Sequence, residues 1–154
     1  VVSSVTVMDG EGRKNILRRE EIAFAYRQSN LPAGAIICGA RFFLQKGNGA
    51  RIRERMAEIM KWRQEKHPLQ YPNAGSVFKN LPGLPAGQLI EEMGLKGIRR
   101  GDAQVSKKHA NFIVNKGRGT AADVLTLIAL IQEKARKEKG IELETEIVII
   151  GESL

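Results

Sequence analysis

Alternating apolar and polar positions mark the start of the chain. In "VSSVTVMDGEGRKNIL" the period is two on both sides of Asp9-Gly10, which predicts a β-hairpin arm. "RREEIAFAY" fits a short helix, and "AIICGARFFLQKG" is an apolar, partly alternating strand ending in the turn-like "KGNGA". The period then becomes helical over residues 50–66. Ile52, Met56, Ile59 and Met60 share one face there and are expected to pack in a core, and Pro68 stops the helix because it cannot supply the next backbone donor.

From Tyr71 the texture changes to a loop rich in Asn, Gly and Pro. "LPAGQLIEEMGLKG" predicts a compact helix with Pro85 in its first turn, Leu89, Ile90 and Met93 facing inward, and Gly94 as a left-handed cap. Two short strands, "AQVS" and "NFIVN", follow. The longest helix spans residues 121–139, with Thr120 as N-cap, Asp123 at the third helical position and Gly140 as terminator; "ELETEIVIIGE" reads as a last strand. No repeat appears, so the order of elements gives an α+β chain with a boundary near residues 67–71.

Composition narrows the class. Of 154 residues, 42% are hydrophobic and 27% charged, an ordinary globular balance, and no apolar run reaches the roughly 20 residues of a membrane helix. The opening residues lack the order of a signal peptide, which gives the expectation of a cytoplasmic protein with no membrane partner. Cys38 is a lone thiol between apolar neighbours and is expected to be buried and inert. His67 and His109 are far apart in sequence with no ligand-spaced Cys or paired carboxylates, so no metal is expected. The formal net charge of +8 favours an anionic partner without choosing one, since much of the excess lies on helical faces such as "RIRERMAEIMKWRQEK".

"FIVNKGRGTAADV" carries Gly117, Gly119 and Ala122 at G-x-G-x-x-A spacing between a strand and a helix. A dinucleotide turn also needs an acidic residue after the next apolar strand. Glu142, Glu144 and Glu146 fall at or within that strand instead, so the glycines are expected to shape the entry of a Thr120-capped helix.

The denser chemistry lies in "YPNAGSVFKN". Gly75-Ser76 puts a hydroxyl on an expected tight turn, with Lys79 and Asn80 adding a cation and an amide, which suits an oxyanion. A turn whose polar groups cap the next element explains the same residues equally well. A nucleophilic Ser76 needs a base, and neither G-x-S-x-G nor a Ser, His and Asp set is present, so a proton-donor role is the simpler chemistry.

"YPNAGSVFKN", "PAGQLIEEMGLKG", "AQVSKKHANFIVN", "TAADVLTLI" and "GIELETEIVIIGE", with "FAYRQS" upstream, resemble in order the C-terminal part of the UDP-N-acetylenolpyruvoylglucosamine reductase (MurB) family, over residues 22–152. The resemblance implies an NADPH-dependent flavoenzyme of peptidoglycan precursor synthesis that uses FAD to reduce the enolpyruvyl ether of a UDP-sugar to a lactyl ether. It implies Ser76 as donor of a proton to the carbon left as an enolate, Arg27 as the arginine of Tyr-Arg-x-Ser, and Glu146 as a proton-bearing partner of the same enolate. Candidate substrate contacts are Tyr26 and Asn80 on the resemblance, Lys66 or Lys79 by charge alone, and His109 and Asn111 of "KKHANF", which a polar strand-end role explains equally well. The layout it implies is the end of an FAD-binding α+β domain (1–68), a small α/β substrate-binding domain (69–140) and a terminal strand carrying Glu146 (141–154).

Departures from the family pattern are Thr145 and Leu81 where Pro is usual and Val148 where Arg is common. The absence of a tyrosine-bearing insertion between Arg27 and Ser76 matches the shorter family type. The family's Gly-rich flavin-phosphate segment is not found, so a further N-terminal segment is expected, and the chain alone is expected to bind FAD poorly and to be inactive. The rival from another class is a small basic nucleic-acid-binding module; aromatic content of only 5% and the lack of a recognised motif argue against nucleic acid. An inactive interaction fragment is the third reading.

Overall fold

In the computed structural model, residues 1–151 are described, and the chain divides into two compact units, Val1–Ile52 and a second from Arg53 onward. The first is built on a three-stranded antiparallel sheet. Strand β1 (Val2–Met8) lies between β2 (Lys14–Arg18) and β5 (Ile36–Phe42). The expected hairpin is present: Asp9 accepts the Glu11 and Arg13 amides on Oδ1 and binds the Arg13 guanidinium on Oδ2, a side-chain scaffold that closes the turn. Val5 and Val7, two residues apart on one face of β1, bury with Ile22.

Three expectations fail in or near this unit. "RREEIAFAY" forms only a 3-10 turn (Arg19–Glu21) before the short strands β3 (Phe24–Ala25) and β4 (Gln28–Ser29). Local polar groups compete with the helix: Glu21 accepts the Arg18 amide, while the Asn30 side chain accepts from Ala23 and donates to the Glu21 carbonyl. Cys38 is exposed, as is every residue of β5, because a unit with three buried core residues does not cover both faces of a seven-residue strand. Helix α1 (Gly49–Lys66) forms as read, started by the Asn48 side chain on the Ala50 and Arg51 amides, but buries nothing. Its Ile52, Met56, Ile59 and Met60 face is therefore exposed rather than packed.

The second unit is a four-stranded antiparallel sheet in the order β6 (Asn73–Ser76), β9 (Phe112–Asn115), β8 (Ala103–Val105), β7 (Arg99–Arg100). Helices α2 (Ala86–Glu92) and α3 (Ala121–Lys139) share one core with it: Leu89, Ile90 and Met93 of the α2 segment and Leu127, Ile128 and Ile131 of α3 cluster with Ala103, Val105 and Ile113. The inward face read for α2 is thus correct, although Pro85 is its N-cap rather than a residue of its first turn. Helix α3 has the expected ends. Thr120 and Asp123 form a reciprocal capping box, and Gly140 closes the helix at φ 66°, a left-handed conformation.

The expected terminal strand does not form. Residues 141–151 follow residues 77–79 through one bridge, Phe78 to Thr145, with the Lys79 amide donating to the Glu144 carbonyl at 2.9 Å. Leu143 anchors the segment in the core, whereas Val148, Ile149 and Ile150 are exposed, so among the described residues the alternation that predicts a strand finds no pairing beyond that bridge.

Candidate functional site

Ser76 ends β6, and the segment before it is a bulged strand rather than the tight turn expected. Gly75 has φ 82°, which a side-chain-bearing residue rarely adopts, and a Cβ built there meets nothing within 4 Å. The backbone beside the partly buried Ser76 hydroxyl is therefore open to a ligand. The Asn73 side chain holds the bulge by accepting the Gly75 amide at 3.0 Å.

The residues after Ser76 are clamped. The Val77 amide donates to the Asn111 carbonyl at 2.8 Å, and the Asn111 side chain accepts the Phe78 amide at 2.9 Å while donating to the Phe78 carbonyl at 2.8 Å. Asn111 is 3% exposed, so both ends of its amide are committed to this strand. Asn111, one of the candidate substrate contacts, thereby positions the chain that bears Ser76. On the other side, the Glu146 amide donates to the Val77 carbonyl at 2.8 Å, which brings the Ser76 and Glu146 segments together, and Glu146 is partly buried.

Lys79 forms an ion pair with Glu144, an acid whose partner the sequence alone does not identify. Asn80 accepts the Ala86 amide at 3.0 Å and so caps the start of α2, the structural role weighed against ligand binding. Leu81, where the family usually has Pro, uses the N–H that Pro lacks to donate to the Leu84 carbonyl at 3.1 Å. Lys66 is the exposed last residue of α1.

The two histidines are not far apart. Their ring centroids lie 5.5 Å from each other, Phe112 contacts both rings, and Trp62 meets His67 edge-on. The end of α1 and the start of β9 bring together what sequence distance conceals. Desolvation lowers the pKa of each below the usual histidine value, and each carries a further cationic neighbour, Arg63 beside His67 and His67 itself beside His109. Among the described residues no group of three His, Cys, Asp or Glu side chains is arranged to hold a metal. His109 accepts the Asn111 amide on Nδ1 and lines a cavity of about 390 Å³ with Pro85, Gly87, Gln88, Glu91 and Lys108.

Tyr26 and Arg27 belong to the first unit, as the two-residue turn between β3 and β4. Arg27 has φ 58°, the one non-glycine residue among those described with positive φ, and its guanidinium lies 5.5 Å from the Tyr26 ring centroid. A left-handed non-glycine residue costs on the order of 1–3 kcal/mol and persists only where its surroundings impose it.

The Gly-rich turn at residues 117–122 is filled by the protein. Asn115 accepts the Gly117 and Gly119 amides on Oδ1, and Asp102 accepts the Arg118 amide, each at 2.9 Å. A Cβ on Gly119 would sit 2.9 Å from the Ala103 nitrogen, so the glycine serves close packing of the chain on itself. The donors that a dinucleotide pyrophosphate needs are already used.

Residues 67–150 match the family of the UDP-N-acetylenolpyruvoylglucosamine reductase C-terminal domain. The chain is 49% identical over 152 residues to the UDP-N-acetylenolpyruvoylglucosamine reductase of Syntrophus aciditrophicus, covering 99% of this chain and 49% of that protein. It is 46% identical to that of Moorella thermoacetica, covering 100% of this chain and 51% of the other. The crystal structure of UDP-N-acetylenolpyruvylglucosamine reductase (MurB) from Thermus caldophilus is similar at a TM-score of 0.80 and 41% identity, over 94% of this chain and 52% of that one. The chain thus spans about half the length of the curated relatives it matches. With a clamped Gly-Ser strand, an adjoining Glu146 segment and agreement along nearly its full length, the chain belongs to the UDP-N-acetylenolpyruvoylglucosamine reductase family.

Proposed function

We propose that this chain supplies the substrate-binding part and the proton-delivering groups of a reductase that converts the enolpyruvyl ether of UDP-N-acetylglucosamine to UDP-N-acetylmuramate in peptidoglycan precursor synthesis. The observation that carries this reading is the convergence of the Ser76 and Glu146 segments across the Val77 carbonyl. In the family reading, FAD reduced by NADPH supplies the hydride. The filled turn at residues 117–122 does not fit the flavin pyrophosphate, and no residue of this chain is assigned to hold it.

Ser76 gives its hydroxyl proton to the carbon that carries enolate character after hydride addition. Arg27 offers a planar fork of donors to the substrate carboxylate, whose negative charge grows in that step. Glu146, partly buried, acts as the second proton-bearing group. Tyr26, His109, Lys66, Lys79 and Asn80 remain candidate contacts for the UDP-sugar, and Asn111 holds the strand. The layout proposed with this reading keeps residues 1–68 with the flavin-binding part, 69–140 with the substrate and 141–154 as the segment bearing Glu146. A cytoplasmic location fits a nucleotide-sugar substrate, and no helix among the described residues is long and apolar enough to cross a membrane.

The test joins this chain to the remaining half of the Syntrophus aciditrophicus relative. Ser76→Ala is expected to lower turnover by about 10²–10⁴-fold, the usual contribution of a positioned acid, with substrate affinity by calorimetry nearly unchanged. Turnover within threefold of the parent would remove Ser76 from the chemistry.

A further inference from the structure

A second, smaller crevice lies in the unit that contains β6 to β9. Its volume is about 120 Å³, and its lining includes Tyr71, Gln104, Ser106, Lys107, Lys108 and Lys116. A drug-sized ligand needs about 300–1,000 Å³, so this space is on the scale of one small group.

Its charge is one-sided. Three lysines line it and no carboxylate does. Elsewhere in the unit lysines pair with acids, Lys79 with Glu144, Lys96 with Glu91 and Lys137 with Glu133, whereas none of these three makes an ion pair among the described residues. Two ammonium groups are held by other means. Lys108 donates to the Gln64 carbonyl at 2.6 Å, near the C-terminus of α1, which leaves two of its protons for another acceptor. Lys116 sits 3.4 Å from the Tyr71 ring centroid, a contact that orients a cation without neutralising it. The Lys107 stem lies along Gly97, where a Cβ would approach its Cε to 3.2 Å.

Ser106 is a buried polar group of the crevice. It is 3% exposed, and its oxygen accepts the backbone amides of Lys108 at 3.1 Å and His109 at 3.3 Å. Both contacts use the oxygen as an acceptor, and the hydroxyl proton is the group it can offer to a ligand oxygen in the crevice. An anion in the crevice would accept that proton beside the three ammonium groups.

We propose that this crevice binds a phosphate group, with the Ser106 hydroxyl and the ammonium groups of Lys107, Lys108 and Lys116 as its donors. A tetrahedral anion suits three separate point charges better than the planar fork an arginine would offer a carboxylate. The inference does not depend on the reductase reading, because it uses neither Ser76 nor Glu146. The phosphate has two possible sources, free inorganic phosphate and the phosphomonoester of a nucleotide.

The test is a titration of the isotope-labelled chain, followed by amide chemical shifts at constant ionic strength, with inorganic phosphate, uridine monophosphate and uridine as separate probes. Saturable shifts at residues 106–109 and at Tyr71 and Lys116 are expected with the two phosphates, weakened at least tenfold in Lys107→Gln/Lys116→Gln. Both substituted side chains are exposed, and the rest of the spectrum reports whether the fold is kept; the single variant Lys107→Gln, expected to weaken binding severalfold, serves if it is not. Tighter binding of the monophosphate, with uridine silent, assigns the site to a nucleotide, and equal binding of the two assigns it to free phosphate. Shifts that do not saturate, that spread over lysines throughout the chain, or that are the same in the variants overturn the proposal.

Discussion

Asn111 shows how a residue's chemistry and its role come apart. The sequence places an amide near a family motif, but it does not say which way the amide points. Buried between β6 and β9, it replaces two backbone pairings of Phe78 with side-chain ones. Asn111→Leu keeps similar bulk and leaves the Phe78 amide and carbonyl unsatisfied, so it is expected to destabilise the chain by about 2–3 kcal/mol. A urea titration checks this: the midpoint falls while the slope stays constant. The Gly-Ser pair stands out in the sequence, but the sequence does not say that it ends a bulged strand rather than a tight turn. Cys38 was misread because apolar neighbours in sequence do not supply an opposing layer in space.

Elements with strong local signals were the readable ones. Helix α3 announces its start with Thr120 and Asp123 and its end with Gly140, and both ends stand where those residues require. Thr120→Ala removes the oxygen that accepts the Asp123 amide and is expected to cost about 1 kcal/mol, seen as a lower thermal midpoint. Gly119→Ala just before it is the sharper probe of the filled turn. Its added methyl meets the Asp102–Ala103 backbone as well as the Asn115 side chain, so a loss of about 1–3 kcal/mol is expected in the same measurement, with the site segments unaffected by amide shifts. "RREEIAFAY" and "ELETEIVIIGE" were less readable, because local side-chain bonds in the first, and pairing limited to one bridge among the described residues of the second, outweigh periodicity.

For the molecule as a whole, the α+β class and the family were legible from ordered motifs, while the meeting of His67 and His109 depends on tertiary structure alone. That meeting sets a pH dependence. Both histidines have folded pKa values below their ordinary 6.5, so in the window beneath it the unfolded chain binds more protons and stability falls as pH falls. The stabilisation is fully present above about 6.5 and is lost toward the lowered folded values. The facing charges reinforce this, since Arg63 and Lys96 oppose protonation, against which a backbone hydrogen bond at His109 and the Glu91 carboxylate act in the other direction. Asp9 and Asp123, also lowered from 3.8, act in a separate and more acidic window. Thermal midpoints measured from pH 8 to 5 are therefore expected to hold down to about 6.5 and then decline. His67→Phe retains a ring against Trp62 and Phe112 but removes one titrating group and one repulsion on His109, so its decline should be shallower and begin at lower pH. A variant that follows the parent curve throughout would place the pH response outside this ring cluster.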